Sequence, residues 1–140
     1  MKLNTYLNFN GNCAAAFRFY EQHLGGKITM MMTHADAPGA QDLPEMARSA
    51  ILHARITIAG VELLGSDVLR DDYGPIRSSY LSLTVDSTGE AERIFGVLSE
   101  AGQIYMAMEE TFWAFRFGIC RDRFGVLWMI SAERPMPTAP

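Results

Sequence analysis

His53, Arg55, Glu62, Glu110 and Arg116 are the side chains whose chemistry and spacing first suggest a site. Each lies in a stretch where apolar and polar residues alternate, and in a strand that alternation aims every second side chain at one face. A histidine beside a carboxylate works as a general acid or base, and an arginine holds an anionic group through two parallel hydrogen bonds. The plainer reading stands beside it. His53 and Arg55 then occupy a solvated strand face, and Glu110 with Arg116 forms a cross-strand charge pair.

The remaining reactive types are sparse. Cys13 and Cys120 make no disulfide framework. Cys13 falls in the first turn of an expected helix, where the helix dipole lowers a thiol pKa, but no second cysteine or paired base accompanies it, so an inert, buried thiol is expected. His23 and His34 stand alone, without metal-ligand spacing. The glycines form no Gly-x-Gly-x-x-Gly turn between a strand and a helix, which argues against a dinucleotide and against the methyl donor of a Rossmann-like methyltransferase.

With 140 residues, of which 49% are hydrophobic, the chain can bury a core without staples. Its formal charge of -4, from 12 basic and 16 acidic residues with no basic run, provides no footprint for nucleic acid or an anionic membrane. No leader pattern or apolar run of spanning length appears, so a cytoplasmic location is expected.

The positioning elements come in a repeated order. Thr5–Phe9 reads as a strand. Asn12 is placed to cap a helix carrying Cys13, Phe17, Tyr20 and Leu24, which Gly25 and Gly26 stop. Lys27–Thr33 is a second strand with three consecutive methionines. His34 to Arg48 is read as a long mobile loop, a candidate lid. Ser49–Ile58 and Val61–Ser66 form a hairpin about Ala59-Gly60. After a linker at 68–78 the order recurs. Tyr80–Val85 is a strand, Ser87 to Glu90 a capping box, Gly102 a helix stop and Gln103–Met108 a strand. Glu110–Cys120 and Val126–Ser131 make the closing hairpin. The expected organisation is one domain of two repeats, 1–67 and 79–133, with a flexible tail at 134–140.

Tyr6 to Asn12, Phe17 to Gly26, His53-Ala54-Arg55, Glu110 to Trp113 and Asp122 to Trp128 are similar to the PhnB-like branch of the vicinal oxygen chelate superfamily of glyoxalases, bleomycin-resistance proteins and extradiol dioxygenases. The resemblance runs to Glu133. It implies an α+β fold in which two β-α-β-β-β modules form curved mixed sheets around a cup, with helices on the outer face. In metal-dependent members four side chains, from the first and last strands of both modules, hold a divalent ion in that cup.

Strand parity turns Tyr6, Asn8, Tyr80, Ser82 and Thr84 toward the cup, and counting from Gly60 and Gly125 adds Leu64 and Met129. Where the metal enzymes carry histidine, glutamine or glutamate, this chain is thus expected to have Tyr6, Leu64, Tyr80 and Met129. Leucine and methionine do not bind a hard or borderline divalent ion. No cofactor is therefore expected, and a divalent metal only if its ligands are displaced from the usual positions.

Two tyrosines, a leucine and a methionine would instead floor an adaptable pocket for a small organic ligand, or else form ordinary core or dimer interface. Trp113, at the mouth end of its strand, is placed to stack on a ligand, and Trp128 to pack under the helices. The expected cup lining is Tyr6, Asn8, His53, Arg55, Leu64, Tyr80, Glu110, Trp113, Arg116 and Met129. The family also implies a homodimer.

Three functions follow from this reading. The first is a metal-free small-molecule binding protein of the drug-resistance type. The second is a glyoxalase- or dioxygenase-like enzyme in which His53, Glu62, Asp67 or Glu110 converge. The third is a dimeric scaffold that has lost its ligand. Whether any reaction is catalysed is left open, as is the ligand.

Overall fold

Alternation in the first strand buries Leu7 and Phe9 and leaves Tyr6 and Asn8 on the opposite face, forming β1 (Thr5–Phe9), with Thr5 exposed at its start. In the computed structural model, which describes residues 1–69, 71 and 73–135, the chain divides into two compact units, Met1–Gly74 and Pro75–Pro140. Each carries one four-stranded mixed sheet with a helix packed on it, an α+β architecture. Among the described residues no helix is long and apolar enough to cross a membrane.

In the first unit β1 is followed by α1 (Cys13–His23), β2 (Lys27–Thr33), α2 (Glu45–Ser49), β3 (Ile51–Ile58) and β4 (Val61–Asp67). The sheet order is β1-β4-β3-β2, with β1 parallel to β4 and the other pairs antiparallel. Cys13, Ala16, Phe17 and Tyr20 form the buried stripe of α1, against Leu7, Phe9, Ala54, Ile56 and Leu63. Phe17 meets Phe9 edge to face at 5.9 Å. Each large side chain buried this way contributes about 1.5–3 kcal/mol.

Asn12 does not cap α1. Its side chain makes no cap hydrogen bond, and its Oδ1 is buried without a partner among the described residues. The cap comes from the far end of the unit, where the buried carboxylate of Asp67 accepts from Cys13 N at 3.0 Å and from Ile51 N at 2.8 Å. A carboxylate at a helix N-terminus meets both the orphan N–H groups and the positive end of the dipole.

The segment from His34 to Arg48 was expected as an unstructured loop. It contains single 3-10 turns at His34–Asp36 and Ala40–Asp42 and then α2. Asp36 turns back to accept from Thr33 N and Thr33 Oγ1, each at 2.9 Å, and Pro44 begins α2 with its fixed φ. Ser49, expected at the start of the third strand, is the last residue of α2.

The second unit contains β5 (Leu81–Thr84), α3 (Thr88–Ser99), β6 (Gln103–Glu109), β7 (Ala114–Arg121) and β8 (Leu127–Glu133), in the sheet order β5-β8-β7-β6. Ser87 Oγ accepts from Glu90 N at 3.1 Å, as its position predicts, although the Glu90 carboxylate turns to Arg93 and not to the cap. Ala91, Ile94, Phe95 and Leu98 pack on Ala114, Cys120, Trp128, Ile130 and Ala132, so Trp128 is core.

Gly102 does more than end α3. A Cβ there would lie 2.1 Å from the Arg121 carbonyl oxygen, so only glycine lets the chain entering β6 pass this close to the end of β7.

Of the tail expected at 134–140, residues 136–140 lie outside the described residues. Arg134 is fixed: its N–H donates to Trp113 O at 3.0 Å, its guanidinium pairs with Glu110, and it sits 4.8 Å from the centre of the Phe115 ring. Positions 70 and 72 of the expected linker likewise lie outside the described residues.

Candidate functional site

The site is read on the face of each sheet that its helix leaves uncovered. In the first unit the pairing puts Tyr6 opposite Leu64, Leu64 opposite Arg55, Arg55 opposite Met30 and His53 opposite Met32. Tyr6, Asn8, His53, Arg55, Glu62 and Leu64 thereby share the uncovered face, as strand alternation requires.

Four of these residues form one chain of contacts. The Tyr6 hydroxyl lies 3.2 Å from His53 Nδ1, and the two rings stack at 5.8 Å. Arg55 Nε–H donates to His53 Nε2 at 3.3 Å, and Arg55 Nη1 reaches Glu62 at 3.4 Å. Lys2 joins from the other side at 3.1 Å. The Lys2 ammonium, and after it the Arg55 guanidinium, hold the Glu62 carboxyl below the usual carboxylate range.

A guanidinium has only donors, so His53 Nε2 must accept and Nδ1 must carry the ring proton. Nδ1–H then donates to the Tyr6 oxygen, which leaves the phenolic O–H free to donate elsewhere. The ring's one lone pair is already engaged by Arg55, so this arrangement supplies an oriented hydroxyl donor and not a poised base.

In the second unit Ser82 pairs with Met129, Met129 with Ile119 and Leu127 with Arg121. Tyr80, expected at the position equivalent to Tyr6, does not occupy it. Register places Ser82 where β1 has Tyr6, and Tyr80 precedes the strand two residues earlier. The similarity of Tyr80-Leu81-Ser82-Leu83 to Tyr6-Leu7-Asn8-Phe9 suggested the other alignment, but the parallel ladder sets the register. Tyr80 still opens onto a cavity, which it bounds with Arg77, Ser78, Tyr105, Arg121 and Leu127.

Arg116 is not on the uncovered face. It pairs in register with buried Ala132, donates through Nε to Glu92 of α3 at 2.6 Å and through Nη2 to Met108 O at 3.2 Å. Gly118 confirms the parity, since a Cβ there would meet Met108 Sδ and Phe95. Along β7 the small residues Ala114, Gly118 and Cys120 lie under the helix, and the large Phe117 and Ile119 face away from it, which inverts the usual size pattern. The expected Glu110–Arg116 pair does not form. Glu110 lies before β7 and pairs with Arg134. Trp113 is half-buried between Phe112 at 4.8 Å and Phe117 at 5.3 Å, so its ring already has aromatic neighbours.

Arg121 and Tyr105 carried no functional reading in the sequence. Arg121 Nε–H donates to the Tyr105 hydroxyl at 2.9 Å and Nη2–H to Ile76 O at 3.2 Å. The signal was present but slight: Arg121 alternates with buried Cys120 and Asp122, which turns it to the opposite face.

The donor set for a chelated divalent ion does not fit. Leu64 and Met129 occupy the β4 and β8 positions and offer no oxygen or nitrogen, and their β1 and β5 partners are Tyr6 and Ser82. Asp67, one of the candidates for a displaced ligand, is 7% exposed and spends both oxygens on Cys13 N and Ile51 N.

Burial, and next to it the Asp67 charge, pushes the Cys13 thiol up from 9.0 to about 12, overriding the helix dipole. Burial and then Asp122 push Cys120 up to about 12 as well. At pH 8 about one thiol in ten thousand is then thiolate, so neither should react with a disulfide reagent in the folded protein, and both should react in denaturant. Rapid labelling without denaturant would contradict the burial. Because the folded values lie above the unfolded ones, this contribution to stability is complete below pH 9.0 and is lost as pH rises toward about 12.

Comparison with known proteins accords with this architecture. Residues 2–130 match the profile of the Glyoxalase/Bleomycin resistance protein/Dioxygenase superfamily. The chain is similar to Protein YjdN of Escherichia coli (strain K12), 36% identical with 99% of each chain covered. It is also similar in structure to protein PA1353 of Pseudomonas aeruginosa, with a TM-score of 0.84 and 41% identity, covering 96% of this chain and 99% of that one. A putative 3-demethylubiquinone-9 3-methyltransferase, PhnB protein, from Bacillus cereus has a TM-score of 0.81 at 22% identity over 94% and 99% of the two chains, a likeness of fold alone.

Proposed function

The chain belongs to the Glyoxalase/Bleomycin resistance protein/Dioxygenase superfamily, and from that premise we propose that it binds a small organic molecule without a chelated metal. The observation that carries this reading is the chemistry at the four positions of the family's metal-dependent members. Tyr6 with Leu64, and Ser82 with Met129, provide hydroxyl and apolar groups where an ion would need imidazole or carboxylate. Methionine and leucine make adaptable apolar walls, and the oriented Tyr6 hydroxyl supplies a directional contact for a polar atom of the ligand.

Binding is favoured over catalysis by His53. Its lone pair is committed to Arg55, and Glu62 is committed to Lys2 and Arg55, so no acid and base stand ready to exchange a proton with a ligand. We further propose that the protein is a homodimer, as the family resemblance implies.

The test is a thermal-shift screen of neutral aromatic and lipophilic compounds, run with and without EDTA. At a hundredfold excess over Kd, a bound compound should raise Tm by about 5–10 °C. The shift should survive EDTA and fall in Tyr6→Ala. Stoichiometric metal in protein purified without chelator, together with ligand binding that EDTA abolishes, would sink the metal-free reading.

A further inference from the structure

We propose that the cavity bounded by Arg77, Ser78, Tyr80, Tyr105, Arg121 and Leu127 takes the anionic oxygen head, carboxylate or phosphoryl, of the ligand. The inference rests on the small-molecule reading above and narrows it to small organic acids.

Arg55, Arg93, Arg116, Arg123 and Arg134 each lie against a glutamate. Arg121 is half-buried yet meets no carboxylate among the described residues, and Arg77 beside it meets none either. In a chain of net charge -4, two guanidinium groups opening onto one cavity without a counter-ion among the described residues leave a place for an anion.

The geometry suits an oxyanion. Tyr105 Oη accepts from Arg121 Nε and Ile76 O accepts from Nη2, so the fork is held by two neutral acceptors that fix its plane without cancelling its charge. Of the five N–H groups of a guanidinium, the three not used in these bonds remain for a ligand, enough for two parallel bonds to a carboxylate or phosphoryl group. Tyr105, once it accepts from Arg121, directs its own O–H away from that bond. Tyr80 and Ser78 add two more hydroxyls, and Leu127 an apolar wall.

Size decides what enters. The cavity measures about 190 Å³. Whole ligand pockets run from about 300 to 1,000 Å³, so this one holds a head group, with the apolar body of the acid extending beyond it.

The test compares isosteres by calorimetric titration: benzoate and phenylphosphonate against neutral benzamide, with acetate and inorganic phosphate as heads without a body. At least one of the two aromatic acids should bind about ten- to hundredfold more tightly than benzamide, and which of them leads identifies the head as carboxylate or phosphoryl. Arg121→Gln should erase that preference, bringing the leading acid down to the affinity of benzamide. Arg77→Gln, at an exposed position with no hydrogen-bond or ion-pair partner among the described residues, should reduce the preference several-fold and keeps the test decisive if Arg121→Gln does not fold. Equal binding of acid and amide, or a preference that survives in both variants, would overturn the anion subsite and leave the small-molecule reading standing. Absence of binding by every compound, the neutral screen included, would overturn both.

Discussion

Asp122→Ala should lower stability by about 3–5 kcal/mol. The Asp122 carboxylate is 2% exposed and collects three donors. Phe124 N lies at 2.9 Å, Val126 N at 3.0 Å and Trp128 Nε1 at 2.9 Å. It thereby fastens the turn from β7 to β8, including the buried Val126, and fixes the indole that fills the core under α3. Alanine would take this acceptor from the buried Val126 N and Trp128 Nε1 and from the part-buried Phe124 N, and open a void beside Trp128. Urea unfolding followed by tryptophan fluorescence measures the loss, and Asp122→Asn, which retains one acceptor oxygen, should fall between the two. A loss under about 1 kcal/mol would mean that the turn is held by something other than this carboxylate.

Gly102→Ala should cost about 2–3 kcal/mol and weaken acid binding with it. The new methyl would sit 2.1 Å from the Arg121 carbonyl oxygen and 3.1 Å from Asp122 C, both backbone atoms that cannot rotate aside. Either β6 or the end of β7 must shift, and Tyr105 is on the first while Arg121 is on the second. The hydrogen bond between them, which sets the plane of the guanidinium, is therefore strained by the same methyl. Urea denaturation and a benzoate or phenylphosphonate titration on one preparation separate the two effects. Stability within about 0.5 kcal/mol of wild type would show that the backbone yields here without cost.

Element order and the core-facing parity of β1 and β3 were legible because apolar alternation in these strands is direct: Leu7 and Phe9, or Ala54, Ile56 and Ile58, can lie on only one face; in β4 and β8, where apolar residues run together, the parity came from counting forward from Gly60 and Gly125. β7 misled because burial there selected small residues. Ala114, Gly118 and Cys120 lie on the helix side, where Gly118 makes room for Phe95 and Met108, and no large apolar residue marked that face, so Arg116 was expected as lining. The true lining arginine, Arg121, is two alternations past Phe117. Tyr105 lay within a methionine-bearing strand, where nothing local marks a hydroxyl that will meet a guanidinium from the neighbouring strand.

The cap of α1 escaped for a different reason. Asn12 satisfies the local rule for a helix start, whereas Asp67 reaches the helix only once β4 lies beside β1. No window of neighbouring residues contains that information. The same holds for the network of Tyr6, His53, Arg55 and Glu62, in which alternation could place each residue on a face but not show which ring nitrogen would accept from Arg55.

The two helix starts also set different kinetic demands. Ser87 lies three residues before the Glu90 N–H that it accepts from, so the beginning of α3 closes within one turn and costs almost no loop entropy. The first N–H of α1 waits for a carboxylate 54 residues away, and the same carboxylate holds the first residue of β3. Helix nucleation in the first unit is thereby tied to long-range strand pairing, which raises the contact order of its barrier, while the second unit can nucleate its helix before any of its sheet exists.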